Sequence, residues 1–427
     1  MALVSRHLGR LCTRLTSSAS SSVQSRRSLC DNTIIDPSIG LNSSEKQIQT
    51  TAYQFALKEF RPYMKEWDEN EHCPRDQLCK AAQLGFGALT ASSDFGGSDL
   101  SRLETSLIIE ALSQGCVSTT ALLSIHNMAV TMLDKFGGEE LKSRFLPSLA
   151  SFEKMASYCL TEPSAGSDAA NLLTSATKKD GYYVLNGSKC FISGGGESEV
   201  YFVMCRTGGP GAKGISCILI EKGTKGLSFG KKEKKLGWSS QPTRAVIMED
   251  CKVPVANLLG EEGKGFNYAM DGLNGGRLSI SSCSLGAAQW ALEEAVQYCS
   301  DRKQFNRALI DFQNTQFKLS NYATELLASR LLVRAAARRM DEDSGKSEET
   351  DIDNRHIPLP SMSAAGKLMA TEKAFTIVDG CLQMLGGYGY LKDFGIQQLL
   401  RDCRVHRILE GTNEIMQLII ARDFLKG

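Results

Sequence analysis

The sequence predicts an α+β protein of three successive parts: an N-terminal helical domain, a middle β-barrel or sandwich domain, and a C-terminal helical bundle. Apolar residues at helical spacing fill residues 39–154. Short β-branched and aromatic runs set off by glycines fill 155–262, and long helical stretches return over 263–427. The chain has 427 residues and is 42% hydrophobic, enough for a large core shared among two or three domains.

Residues 1–30 stand apart from these parts. Arg6, Arg10 and Arg14 recur four apart and would share one helical face. Arg26 and Arg27 follow, serines are frequent, and no acid precedes Asp31. This is the pattern of an organelle transit peptide; a plain polar tail is the alternative. No apolar stretch follows the arginines, so a secretory signal is not indicated.

In the first domain Ile48, Ala52, Ala56, Phe60, Met64 and Trp67 make one apolar stripe at spacings of three and four, with Ser44 and Gln47 as the candidate capping box. Gly85, Gly87, Gly96 and Gly97 punctuate the next stretch, and helical patterning resumes over 107–112 and 121–133.

The middle domain's candidate strands are 182–185, 200–205, 215–220 and 245–248, divided by glycines and Pro254. The run Lys231-Lys232-Glu233-Lys234-Lys235 reads as a solvated turn or strand edge, where lysine discourages edge pairing. The 14 cysteines are scattered singly, several inside apolar runs. They read as reduced, buried small hydrophobes, which suits a reducing compartment.

In the last part, 279–300, 312–340, 361–385 and 413–425 are each long enough for a bundle helix. Arg330, Arg334 and Arg338 form an i, i+4, i+8 row that reads as a wet face. Residues 341–360 hold seven acids and two prolines and read as an exposed loop.

Several function classes are disfavoured. The formal net charge of +1 gives no global field for nucleic acid. No uncharged apolar stretch reaches membrane-spanning length. Five histidines and singly placed cysteines make no metal-ligand spacing. No Gly-x-Gly-x-x-Gly lies between a strand and a helix, so a nucleotide cofactor would need another mode of binding.

Five stretches carry candidate chemistry. The loop from Tyr158 through Leu160, Thr161 and Ser167 to Asp168 is stiffened by Pro163 and offers neutral donors to a polar ligand edge or a pyrophosphate; a structural turn is the other reading. Phe191, Ile192 and Ser193 end a strand with an aromatic and a hydroxyl, suited to a flat ring, or are an ordinary strand end. Arg302-Lys303-Gln304-Phe305, followed by Phe312 and Gln313, offers a guanidinium to a diphosphate. The block from Gln383 through Gly386 and Gly387 to Tyr390 brings backbone close to a ligand. The run Leu409-Glu410-Gly411-Thr412 then leads into the last helix, with Thr412 as its N-cap. Alone, Glu410 reads as a helix-end carboxylate near Arg404 or Arg407.

In their order and spacing the loop at Tyr158, the Arg302-Lys303-Gln304-Phe305 run, the Gln383 to Tyr390 block and the Leu409-Glu410-Gly411-Thr412 run resemble the acyl-CoA dehydrogenases, and the resemblance extends over residues 39–427. The runs 81–87, 124–128, 205–211, 230–232, 239–244 and 273–277 resemble the branch acting on short branched acyl thioesters. The resemblance implies the acyl-CoA dehydrogenase fold with a C-terminal four-helix bundle, FAD as cofactor and no metal. It also implies mitochondrial location, a homotetramer and electron transfer to electron-transfer flavoprotein.

The same resemblance implies residue roles. Tyr158, Leu160, Thr161, Phe191, Ile192 and Ser193 would meet the flavin, and Ser167 the pyrophosphate and the substrate's pantetheine. Arg302, Phe305, Phe312, Gln313, Gln383, Gly386 and Gly387 would reach the FAD of a neighbouring subunit. Thr412, Asn413 and Glu414 would cover its adenine side. Asn274, Gly275, Gly276, Arg277 and Arg422 would contact the acyl-CoA substrate, Arg277 and Arg422 near its CoA moiety. Glu410 would be the catalytic base, removing the α-proton while a hydride leaves the β-carbon for the flavin. Some branches carry the base near Asn274, but residues 272–284 contain no carboxylate.

A carboxylate with an unperturbed pKa of about 4.3 is too weak for that task unaided. Burial must raise it, and donors to the thioester oxygen, each worth about 3 kcal/mol, must stabilise the enolate. The expected substrate is a short branched acyl-CoA, with 2-methylbutyryl-CoA or a short straight chain as alternatives. A non-catalytic assembly factor of the same fold is the alternative from another class. Ser164, where the family more usually has glycine, and the long acidic segment 341–360 are the two departures.

Overall fold

The structure, a computed structural model, describes residues 33–346 and 356–425. The leader expected over 1–30 and residues 347–355 of the acidic segment lie outside the described residues.

Among the described residues six α-helices open the fold: α1 (Ser43–Glu59), α2 (Met64–Glu69), α3 (Arg75–Gln83), α4 (Arg102–Ser113), α5 (Val117–Phe136) and α6 (Glu139–Ala150). The expected stripe from Ile48 to Trp67 is buried throughout and continues across the turn between α1 and α2. The capping box lies two residues earlier than expected. Asn42 Oδ1 accepts from the Glu45 amide at 2.9 Å and the Glu45 carboxylate accepts from the Asn42 amide at 2.8 Å. Asn42 is the residue still in extended backbone, whereas Ser44 is already inside the first turn.

Seven strands follow: β1 (Ala156–Cys159), β2 (Ser175–Lys179), β3 (Tyr182–Ser193), β4 (Val200–Arg206), β5 (Ile215–Glu221), β6 (Leu227–Phe229) and β7 (Thr243–Pro254). They form one sheet in the order β1-β4-β2-β3-β7-β6, with β5 also paired to β4. The antiparallel β3–β7 ladder slips between Lys189 and Ile192. At this bulge Phe191 takes a φ of 59° and turns its ring outward, 71% exposed, while Ile192 packs inside the sheet's own core. One irregularity therefore decides which of two adjacent apolar residues faces a ligand.

The helical part resumes with α7 (Gly265–Asp301). A two-stranded hairpin, β8 (Lys303–Gln304) and β9 (Arg307–Ala308), leads to α8 (Gln313–Ser344), α9 (Leu359–Met384), α10 (Ile396–Arg404) and α11 (Asn413–Phe424). α7 packs against α4 and α5 on one side and α8 and α9 on the other. It is the shared wall between the first and last parts.

Three surface readings of the sequence are corrected. Arg330 and Arg334 are not on a wet face. Arg330 is fully buried, with its Nε 2.8 Å from Glu110 of α4 and its Nη2 2.7 Å from Gln289 of α7, and Arg334 donates to the carbonyls of Pro37 and Ile39. Apolar spacing cannot foresee this, because the burial is made possible by a carboxylate from another helix. The lysine run is a clamp rather than a free edge. Lys232 and Lys234 pair with Glu71, and Lys235 donates to Gln241 and Thr243. The acidic segment begins as helix, and Asp341 accepts from the Arg102 and Leu103 amides at 2.6 and 3.0 Å, which closes the N-terminus of α4 from outside.

The cysteine reading fits: nine described cysteines are buried free thiols. No helix among the described residues is long and apolar enough to cross a membrane.

Glu110→Ala, which leaves two enclosed guanidinium groups without their carboxylate, is expected to lower stability in denaturant unfolding by about 3–5 kcal/mol. Arg338→Ala, at an exposed position of α8, should change it by about 0.5 kcal/mol or less.

Candidate active site

Glu410 sits between a 3-10 turn (Val405–Arg407) and α11, with a φ of 55°. That backbone conformation is costly for a side chain with a Cβ and persists only where its surroundings enforce it. Here they do. Arg277 Nε donates to the Glu410 carbonyl at 3.3 Å. Lys367 Nζ donates to the Gly411 carbonyl at 2.9 Å and to Asn413 Oδ1 at 2.7 Å. Thr412 is the N-cap of α11, accepting from the Ile415 amide.

Below the turn, buried His406 is held on both ring nitrogens. Trp238 Nε1 donates to Nε2 at 3.3 Å, so Nδ1 carries the proton and donates to Ser284 Oγ at 2.7 Å. Burial pushes His406 down to about 3, and it stays neutral. Arg407 pairs with Glu372 at 2.8 Å, so Glu410 is not the helix-end partner of that arginine.

The Glu410 side chain contrasts with its well-tied backbone. The residue is only partly covered, but Oε2 is closed off from water and has no hydrogen-bond partner. Burial pushes its pKa up to about 7 against the opposing pull of Lys367 and Arg277. The Tyr158 hydroxyl is a second enclosed polar atom without a partner; burial raises its pKa, and Glu410 and Arg277 both bear on it. Two orphaned polar atoms at one place call for a ligand that bonds them.

The glycine pair on α7 explains the space. A Cβ on Gly276 would lie 2.7 Å from Glu410 Oε2, and one on Gly275 would lie 2.9 Å from the Arg102 Cζ. The expected substrate contacts at these glycines are therefore first of all seats for two charged side chains. Arg277 is likewise turned inward. It is 5% exposed and bonded to the Glu410 carbonyl and Asn274 Oδ1, not extended towards a CoA moiety. Asn413 is buried by its bonds to Lys367, Thr371 and Glu372, so its side chain offers nothing to a cofactor. Ile192, inside the sheet, also presents no side chain to a ligand.

The loop after β1 is fixed by a pair that the sequence reading missed. Lys189 and Glu162 are buried together at 2.7 Å. Glu162 accepts from the Leu173 and Thr174 amides, and Lys189 also donates to the Leu160 carbonyl. The Leu160 backbone is thereby fixed and its side chain buried, Thr161 and Ser193 are half-buried, and Phe191 and Ser167 are exposed. Ser164 keeps an ordinary negative φ, so its backbone does not require the family's glycine.

A second group assembles elsewhere. Arg302, Gln304, Met384, Gly386, Gly387 and Tyr388 line an open cleft of about 510 Å³, in the size range of a cofactor site. A Cβ on Gly387, whose φ is ordinary, would meet nothing within 4 Å, so nothing inside the chain calls for a glycine there. Phe305 is 88% exposed, 6.3 Å from the Phe312 ring. Gln313 and Gln383 are exposed beside this group, whereas Glu414 and Arg422 are exposed on α11. Lys367 and Arg102 escaped the sequence reading. A lone lysine inside the apolar stretch of α9 was the available signal for the first; nothing local marks the second.

A carboxyl with one enclosed, unpaired oxygen, poised near neutral pH and facing Gly276, suits proton abstraction from a weak carbon acid. Three family models match the chain in succession: acyl-CoA dehydrogenase N-terminal domain over 42–153, middle domain over 157–251 and C-terminal domain over 263–425. Mitochondrial isobutyryl-CoA dehydrogenase of Bos taurus is 56% identical over 92% of this chain and 91% of its own length. A solved chain described as the electron transferring flavoprotein of Acidaminococcus fermentans superposes with a TM-score of 0.86 at 36% identity, covering 91% of this chain and all of that one. The structure described as PigA with FAD and proline superposes at 0.85 and 30% identity, with 91% and 100% coverage.

Because Glu410 binds its proton more tightly in the folded chain than in the unfolded one, its contribution to stability is present below about 4.5 and lost as pH rises through about 7. Glu410→Gln should therefore be more stable than the parent at pH 8, and the difference should vanish below pH 4.5 in thermal unfolding.

Proposed function

The chain belongs to the acyl-CoA dehydrogenase family, and on that premise we propose that it oxidises isobutyryl-CoA to methacrylyl-CoA. It is an FAD-dependent enzyme that introduces a double bond between the α- and β-carbons of an acyl-CoA. The finer substrate rests on its similarity to the bovine dehydrogenase over nearly the whole length of both chains.

The observation that carries the mechanism is the enclosed, unpaired Oε2 of Glu410 beside Gly276. In our reading Glu410 takes the α-proton. Arg277 and Lys367 bond the successive backbone carbonyls of Glu410 and Gly411 rather than the carboxyl group, which leaves it basic near pH 7. When bound, FAD supplies the acceptor for the hydrogen leaving the β-carbon. Leu160, Thr161, Phe191 and Ser193 would hold it at one cleft. The group around Arg302, Gly386 and Gly387, with Phe305, Phe312, Gln313 and Gln383, would hold that of a neighbouring subunit, with Thr412 and Glu414 towards its adenine.

That division between two surfaces supports a homotetramer. The likeness to the Acidaminococcus structure supports electron-transfer flavoprotein as the acceptor. The arginine-rich leader and the mitochondrial relative support a matrix enzyme of valine catabolism.

Anaerobic titration of the yellow holoenzyme with a panel of acyl-CoAs should bleach the flavin fastest with isobutyryl-CoA. Faster reduction by butyryl-CoA or 2-methylbutyryl-CoA would replace the proposed substrate. Glu410→Gln should retain FAD and lose reduction by orders of magnitude.

Lys367→Met removes a positive charge that holds Glu410 down. Since the ionised carboxylate is the active form, the rising limb of kcat/KM should move above its expected position near pH 7. A limb that stays in place would show that Lys367 acts on the loop alone.

A further inference from the structure

A small enclosed cavity lies between α4, α5 and α7, lined in part by Thr105, Ser124, Asn127, Met128, Gly276 and Arg102. It measures about 10 Å³, room for about one water molecule. Gly276 belongs to its wall and also touches the Glu410 carboxylate, while the Met128 sulfur would be 3.0 Å from a Cβ placed on Gly276. The cavity thus continues from the reacting end of the site, past Met128, to Arg102.

Arg102, part-buried at the end of this cavity, differs from the fully buried Arg330 and Lys189. Its backbone amide is taken by Asp341, but its guanidinium makes no hydrogen bond or ion pair among the described residues. Asp341 and Asp271 pull on it only at a distance, and burial lowers its proton affinity. Arg330 and Lys189, enclosed in the same chain, each have a carboxylate in contact. Arg102 keeps part of its surface in water, and no carboxylate among the described residues bonds its guanidinium. The guanidinium lies against Gly275, where a Cβ would come within 2.9 Å of its Cζ and Nη2.

We propose that Arg102 is a specificity-determining residue, ending the acyl cavity with an unpaired guanidinium and so confining the enzyme to short acyl groups. An apolar chain reaching past Met128 would strip the remaining water from the charge and give nothing back. A three- or four-carbon acyl group stops before it. This rests on the acyl-CoA reading above.

The test is kcat/KM of the holoenzyme for isobutyryl-, butyryl-, hexanoyl- and octanoyl-CoA, with FAD content and Tm measured alongside. In Arg102→Leu the ratio of hexanoyl- to isobutyryl-CoA should rise at least tenfold. Arg102→Met, which keeps the length and loses the charge, should raise it in the same direction and stands in if the leucine variant does not fold. Arg102→Lys should keep the parent's ratio. Unchanged ratios in FAD-loaded leucine or methionine variants overturn the proposal, as does a lysine variant that opens to hexanoyl-CoA as far as they do. A parent enzyme inactive on every acyl-CoA overturns the substrate reading itself, and this inference with it.

Discussion

The site depends on one unfavourable arrangement: a carboxyl oxygen closed off from water and given no partner. A glutamate in solvent is ionised and a poor base. A glutamate in a direct ion pair is ionised and poorer still, because the partner lowers its pKa further. Glu410 avoids both. Its two cationic neighbours direct their hydrogen bonds to backbone carbonyls, those of Glu410 and Gly411. They fix the loop and moderate the carboxyl's proton affinity without closing on it. The left-handed backbone at Glu410 belongs to the same arrangement, since it aims the side chain at α7 while α11 begins just beyond Thr412.

α7 supplies the other half of the arrangement. Four consecutive residues divide the work: Asn274 orients Arg277, Gly275 seats Arg102, Gly276 seats the carboxyl, and Arg277 grips the loop. Successive residues on a helix face different directions, about 100° apart. One turn can therefore serve the acyl cavity, the base and the loop behind it. Because α7 also packs against helices from both ends of the chain, the base's seat is built into the junction of the two helical parts.

The order of the three parts was legible because it is written in periodicity, and periodicity is local. Thr412 was legible for the same reason, as a local N-cap; Glu410 and Phe191 read as ordinary residues by themselves and were singled out only by the resemblance of the runs together. Long-range pairing was not legible. Arg330 looked like surface because its partner Glu110 lies 220 residues away, and Lys367 gives no local hint of a carbonyl 44 residues on. The glycine pair was located, but the side chains that fill the space above it, Glu410 and Arg102, come from elsewhere in the chain and were not foreseen. The bulge that parts Phe191 from Ile192 depends on a strand pairing that only the folded sheet sets.

The central claim is that Glu410, in its dry seat, takes the proton from the α-carbon. Loss of α-deuterium from [2-²H]isobutyryl-CoA to water, followed anaerobically across pH on the holoenzyme, measures that step apart from turnover. A single ionisation near pH 7 governing the wash-out, and its disappearance in Glu410→Gln, is the predicted result. Wash-out that ignores pH between 5 and 9, or that persists in the glutamine variant, would contradict it.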